Sequence, residues 1–83
     1  MKIAIRYFAS IREALGAGET VEIDAPASVG AVRDALLDRG GAHAAALARG
    51  RALRCALNQV LSDESAAVGE GDELAFFPPV TGG

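Results

Sequence analysis

Cysteine and histidine occur once each in the 83 residues, at Cys55 and His43. A single thiol excludes an internal disulfide and suits a reducing compartment. One Cys and one His cannot by themselves assemble a zinc site, so no metal is expected. Cations are sparse and scattered: eight Lys and Arg against eleven Asp and Glu, for a net charge of −3. No basic stripe with interleaved aromatics appears, which argues against nucleic acid as a partner. The mild acidity favours a basic protein partner instead. Long hydrophobic runs are also missing. Arg6, Arg12 and Glu13 interrupt "MKIAIRYFASIREALG" before a signal-peptide core can form, and no stretch is apolar for long enough to span a bilayer. The chain is expected to be cytoplasmic. It makes one small domain, burying roughly 60% of its unfolded surface. That leaves little room for a deep catalytic cleft, and any site belongs at an edge, a terminus or a partner interface.

What is present is a clear alternation of elements. In "KIAIRYFA", Ile3, Ile5 and Tyr7 share one face, and Lys2, Ala4, Arg6 and Phe8 the other, which predicts a first strand with Phe8 displaced onto the polar side. Ser10 and Glu13 have capping-box spacing and Gly16 offers a stop, giving a short helical turn. "ETVEIDA" reads as a second strand with Val21 and Ile23 inward. After Pro26, Ser28 can N-cap a helix in which Val29, Val32, Leu36 and Leu37 form an apolar stripe, with Arg33, Asp34 and Asp38 off it and Gly40 and Gly41 at its end. The alanine-rich stretch 41–49 predicts a loose second helix. "ALRCALNQVL" resumes strand character, with a bend at Asn58 and Gln59. A final strand places Leu74 and Phe76 inward and Glu73, Ala75 and Phe77 outward. One main helix over one face of a mixed sheet is an α+β, grasp-type arrangement.

Few side chains suggest self-contained catalysis. His43 has no triad-like neighbours and reads as a solvated helix histidine. Cys55, between Leu53 and Leu57 on an inward face, reads as a small hydrophobe. Asp63, Glu64, Glu70, Asp72 and Glu73 lack calcium-loop spacing and read as solvated turn residues. "GEGD" precedes a strand and lacks Lys, so it is no phosphate cradle.

Two features point to a partner. Phe8 and Phe77 both end strands on the polar face. If those strands lie side by side and parallel, the rings meet as an exposed apolar patch, unless the helical turn near residues 10–15 folds over them. The other feature is the tail, residues 78–83, set off from a domain of residues 1–77. Six extended residues span about 20 Å. Pro78 and Pro79 restrict its base to extended conformations, which lowers the ordering cost on binding. Gly82 and Gly83 at its tip have no Cβ and fit a channel only as wide as backbone. A stiff arm with a thin tip suits a chain whose terminal carboxyl group reacts inside another protein. A frayed tail would account for the glycines alone.

"RYFASIREALG", "ALNQVL" and "VGEGDELAFFPPVTGG" together resemble the small, sulfur-carrying subunits of molybdopterin synthase. The resemblance implies a ubiquitin-like β-grasp fold. It implies that Gly83 is adenylated by an ATP-using partner similar to ubiquitin-activating enzymes, converted to a thiocarboxylate, and used to donate sulfur to cyclic pyranopterin monophosphate within the large synthase subunit. Gly82, Thr81, Val80, Pro79 and Pro78 would then be the threaded segment. Phe8, Leu61 and Phe77 would dock on the large subunit, with Arg12 as a further contact. The chain itself would bind no cofactor, and the catalytic groups would belong to the large subunit. A thiamine-pathway sulfur carrier and a protein modifier forming isopeptide bonds through Gly83 share this tip chemistry, and an adaptor using only the aromatic patch is a third alternative.

Overall fold

A computed structural model describes residues 1–79. Its elements in chain order are β1 (Lys2–Tyr7), α1 (Ala9–Leu15), β2 (Gly18–Glu22), β3 (Ala27–Ser28), α2 (Val29–Leu37), α3 (Gly41–Ala46), β4 (Arg54–Leu57), β5 (Val60–Ser62), β6 (Ala67–Val68) and β7 (Glu73–Phe77). Five strands form a mixed sheet in the order β2-β1-β7-β4-β5, and β3 and β6 form a separate two-stranded ladder. β1 runs antiparallel to β2 and parallel to β7, so the first and last strands lie side by side at the centre.

The alternation of β1 is what fixes its orientation. Ile3, Ile5 and Tyr7 are at most 1% exposed and pack with Leu74 and Phe76 of β7 against Val29, Val32 and Leu36 of α2. A shift of one residue would turn every one of these side chains to the opposite face. α2 starts where expected: the Ser28 hydroxyl oxygen accepts a hydrogen bond from the Ala31 N–H at 3.1 Å. The helices cover one face of the sheet and the other face stays open, the β-grasp architecture.

Three expectations need correction. The capping box at Ser10 and Glu13 does not form. Phe8 is the N-cap of α1, with no side-chain cap, and Ser10 lies inside the helix. Arg33 is buried rather than off the packed stripe. Burial is tolerated because Nε donates to the Leu47 carbonyl at 2.9 Å, one terminal nitrogen to the Ala48 carbonyl at 2.8 Å, and the other to Glu64 at 3.0 Å. This guanidinium thus satisfies carbonyls at the end of α3 that the helix leaves unpaired. Ala75 points outward as expected, and its small side chain is 7% exposed. Finally, α2 ends at Leu37, capped by Asp38, and Gly40 instead precedes α3.

Candidate functional site

The open face of the sheet carries the candidate site. In the parallel β1–β7 register Tyr7 pairs with Phe76, which places Phe8 and Phe77 next along the same end. The Phe8 N–H donates to the Phe76 carbonyl at 3.2 Å, extending the ladder by one residue. Phe8 keeps an extended backbone, φ −131° and ψ 158°, and the chain then turns sharply into α1 through Ala9 at φ 53°. That corner holds the Phe8 ring off the core, 41% exposed. α1 does not cover it, because Ile11 anchors that helix in the core on the other side of the sheet.

Behind the two rings the face sinks. Arg6, Ala75, Ala56 and Leu61 follow one another across the four strands. Two alanines at the centre of this row form the floor of a groove of about 280 Å³, walled by Phe8, Phe77, Arg6, Glu73 and Gln59. Leu61, 67% exposed, closes the row at the sheet edge, beside Val60 at 68%. The Arg6 guanidinium lies 3.6 Å from Glu73 and 5.9 Å from the centre of the Phe8 ring, so its charge is met within the face itself. Gln59 reaches the groove from a tight turn: Asn58 and Gln59, at φ 51° and 68°, form the two-residue connection between β4 and β5. Asn58 suits that conformation and is tied down. Its amide nitrogen donates to Asp72 at 3.1 Å, and its amide oxygen accepts from the Glu73 N–H at 3.0 Å. Gln59 is less suited to it, since positive φ costs a side-chain-bearing residue about 1–2 kcal/mol.

The structure brings together three of the expected docking residues, Phe8, Phe77 and Leu61, on one face. Arg12 is exposed one turn into α1, near but not within the groove. Pro78 lines a separate depression with Ser10, Gly50, Arg51 and Leu53, at the end of the sheet where the chain leaves it. Pro79 is partly exposed. Val80, Thr81, Gly82 and Gly83 lie outside the described residues.

The remaining polar candidates are structural. Cys55 is buried, and its thiol donates to the Ser62 carbonyl at 3.2 Å. Burial, with Glu64 and Asp63 nearby, pushes its pKa up and disfavours the thiolate that a nucleophile needs. The expectation of a solvated His43 is overturned. Its Nε2 lies 2.8 Å from a Glu19 carboxylate oxygen that also accepts the Tyr7 hydroxyl at 2.7 Å, and Arg39 pairs with the other oxygen. Burial alone would raise the Glu19 pKa, but hydrogen bonds from His43, Tyr7 and Arg39 outweigh it and hold it near about 2. Burial and the Glu19 carboxylate push the Tyr7 phenol well above its ordinary range. The acidic residues of the later loops are likewise engaged rather than merely solvated. Glu64 pairs with Arg33 and Arg49, Asp72 accepts the Gly69 N–H at 2.7 Å, and Asp63 accepts the Ser65 N–H at 2.9 Å. No helix among the described residues is long and apolar enough to cross a membrane.

Sequence reasoning missed Arg33, Glu19 and the alanine floor. Only the floor carried a signal, in two small residues facing the same side of adjacent strands.

A β-grasp sheet whose open face ends in aromatics beside the departing tail defines a ubiquitin-like protein. The chain belongs to the ThiS family, whose model matches residues 5–83. It is similar to the "Molybdopterin synthase sulfur carrier subunit" of Haemophilus influenzae, 44% identical over 79 residues that cover 95% of this chain and 96% of that one. It is also similar to "Small archaeal modifier protein 1" of Haloferax volcanii, 40% identical over 94% of this chain and 97% of the relative. Among solved structures, the crystal structure of SAMP1 from Haloferax volcanii superposes with a TM-score of 0.79 at 31% identity, over the full length of both chains.

Proposed function

We propose that this chain is the sulfur carrier subunit of a molybdopterin synthase, with Gly83 as the covalent acyl carrier. The observation that carries the reading is the Phe8–Phe77 pair, Phe8 exposed and Phe77 half-buried, at the end of the sheet from which Pro78 leaves. The near full-length similarity to a relative of that name supports it. A carboxylate is a poor electrophile, so an ATP-using partner joins the Gly83 carboxyl group to AMP. The terminal sulfur of a persulfide donor then displaces AMP to give an acyl disulfide. A second thiol on the donor side attacks its S–S bond, which releases the Gly83 thiocarboxylate, nucleophilic at neutral pH, and leaves a disulfide on the donor. Phe8, Leu61 and Phe77 dock on the large subunit, assisted by Arg12. Pro78 and Pro79 keep the base of the arm extended, Val80 and Thr81 continue it, and Gly82 gives clearance. The acid–base groups for the transfer belong, on this reading, to the large subunit. The decisive experiment is the intact mass of the protein purified with its activating partner. Replacement of one oxygen by sulfur, located on Gly83, is expected; a sulfur-free terminus under conditions that support cofactor synthesis would refute the reading.

The similarity to a protein named a modifier favours one second reading, attachment of Gly83 to target lysines. An acyl-adenylate reacts with amines as well as with sulfur. A modifier would give ladders of heavier conjugates that vanish when Gly83 is deleted.

A further inference from the structure

Ion pairing is distributed unevenly over this molecule. Arg6, Arg33, Arg39 and Arg49 each have a carboxylate within 4.0 Å. Arg12, Arg51 and Arg54 have none among the described residues, and all three are exposed. They also stand at one end of the sheet. Arg12 follows Phe8 by one turn of α1, Arg51 lines the depression beside Pro78, and Arg54 is in register with Phe77. Arg54 projects from the same open face as Phe77, because Cys55, the next residue in β4, is on the core side. Arg51 stands on the helix-covered side, where its guanidinium donates, among the described residues, to the Ala45 carbonyl at 3.3 Å. The base of the tail is therefore flanked by a cation on each side of the sheet.

We propose that Arg51 and Arg54 form a cationic collar around the tail base, which pairs with Asp and Glu side chains rimming the tail-receiving pocket of the large synthase subunit. This collar presupposes the sulfur-carrier role proposed above. While the chain is free, water solvates both guanidiniums and they add little to the fold. Closing a partner over Phe8 and Phe77 strips part of that hydration, and a stripped cation without an acceptor is costly. A partner that encloses the arm must therefore present acceptors on both sides of it. Guanidinium suits the task, since its planar fork accommodates carboxylates in a bidentate manner. Continuity with the aromatic patch selects the large subunit as occupant. Net charge alone suggests a basic partner for a chain at −3, but the groups flanking the tail base are the cations Arg51 and Arg54, with Asp63 and Glu64 farther out beside Arg54. Contact chemistry follows the groups at the contact.

The test is titration of the purified large subunit with wild-type chain, Arg51→Leu, Arg54→Leu, the Arg51→Glu/Arg54→Glu double variant, Phe77→Ala, and Lys2→Leu as a charge control at the opposite end of the sheet. Measurements are made at about 0.1 M and about 1 M salt, where charges are felt over about 10 Å and about 3 Å. Each leucine variant is expected to weaken binding about 3- to 10-fold at the lower salt, and the double reversal about 100-fold, with both effects shrinking at the higher salt. Wild-type affinity in the arginine variants, alongside weakened Phe77→Ala, would overturn the collar while leaving the docking face intact. Wild-type affinity in Phe77→Ala as well would bring down the docking reading itself. An equal loss in Lys2→Leu would assign the effect to net charge and overturn the collar. So would normal binding to the large subunit combined with slowed adenylation, which would assign these arginines to the activating partner.

Discussion

Glu19 is the most heavily loaded polar group of the fold, and replacing it with Gln tests how much it holds. Tyr7, His43 and Arg39 all converge on its carboxylate, which joins the end of β1 to Arg39, just after α2, and to His43 in α3. Its pKa falls from 4.5 to about 2. At about 1.36 kcal/mol per pKa unit, the ionised form stabilises the native state by about 3 kcal/mol. That is a large fraction of the roughly 4–12 kcal/mol expected for a domain of this size. Because the folded pKa is depressed, this contribution is complete above about pH 4.5 and disappears as pH falls toward about 2. Glu19→Gln keeps an acceptor for the Tyr7 hydroxyl but loses the charge. It is expected to cost about 2–3 kcal/mol at neutral pH and almost nothing near pH 2. Urea unfolding at a series of pH values measures this directly, and Tyr7, the single tyrosine in a chain without tryptophan, provides a local fluorescence signal. A wild-type-minus-variant difference that stays constant from neutral pH down to pH 2 would refute the assignment. Glu19→Ala should be worse still, by about 1–3 kcal/mol, since it leaves the buried Tyr7 hydroxyl without a partner.

Other substitutions probe the docking face and the arm. Phe77→Ala is expected to weaken association with the large subunit by about 2 kcal/mol or more, as loss of an aromatic anchor does, while circular dichroism shows the fold unchanged; undiminished binding in a titration would contradict the aromatic-patch assignment. Gln59→Gly should move two properties in opposite directions. Relief of the positive φ stabilises the domain by about 1 kcal/mol in chemical denaturation, and loss of a groove wall weakens docking in the same titration. Destabilisation would show that the turn is not strained at that residue. Gly82→Val, or one bulky residue added after Gly83, should spare docking yet block sulfur transfer in a pterin-product assay, because a Cβ no longer clears a backbone-wide channel. Normal product formation would exclude threading.

The legible parts of the sequence were those in which one periodicity decides the outcome. Ile3, Ile5 and Tyr7 alternate with polar residues and face the core, and the Val29–Val32–Leu36 stripe lies buried on α2. Phe8 and Phe77 stood out because each broke the polarity of its face, and the parallel β1–β7 pairing brought them together. Residues whose role depends on distant partners were not legible. Arg33 reads as polar until the end of α3 and Glu64 arrive to satisfy it. His43 reads as solvated until the edge of β2 brings Glu19 beneath it. The β3 and β6 pairing involves two residues on each side, too few for any period to show. The spacing of Ser10 and Glu13 misled because a capping box can be imitated by chance inside a helix, and only the αL corner at Ala9 reveals where α1 begins.

The central position of β7 has a mechanical consequence. A partner that grips the arm and pulls loads this strand lengthwise, in shear, against hydrogen-bonded neighbours on both flanks, β1 and β4. Under that geometry the bonds resist together instead of peeling apart one at a time. A pull applied beyond Phe77 is therefore shared by two ladders at once, and the sheet to which the chain end is fastened keeps its shape.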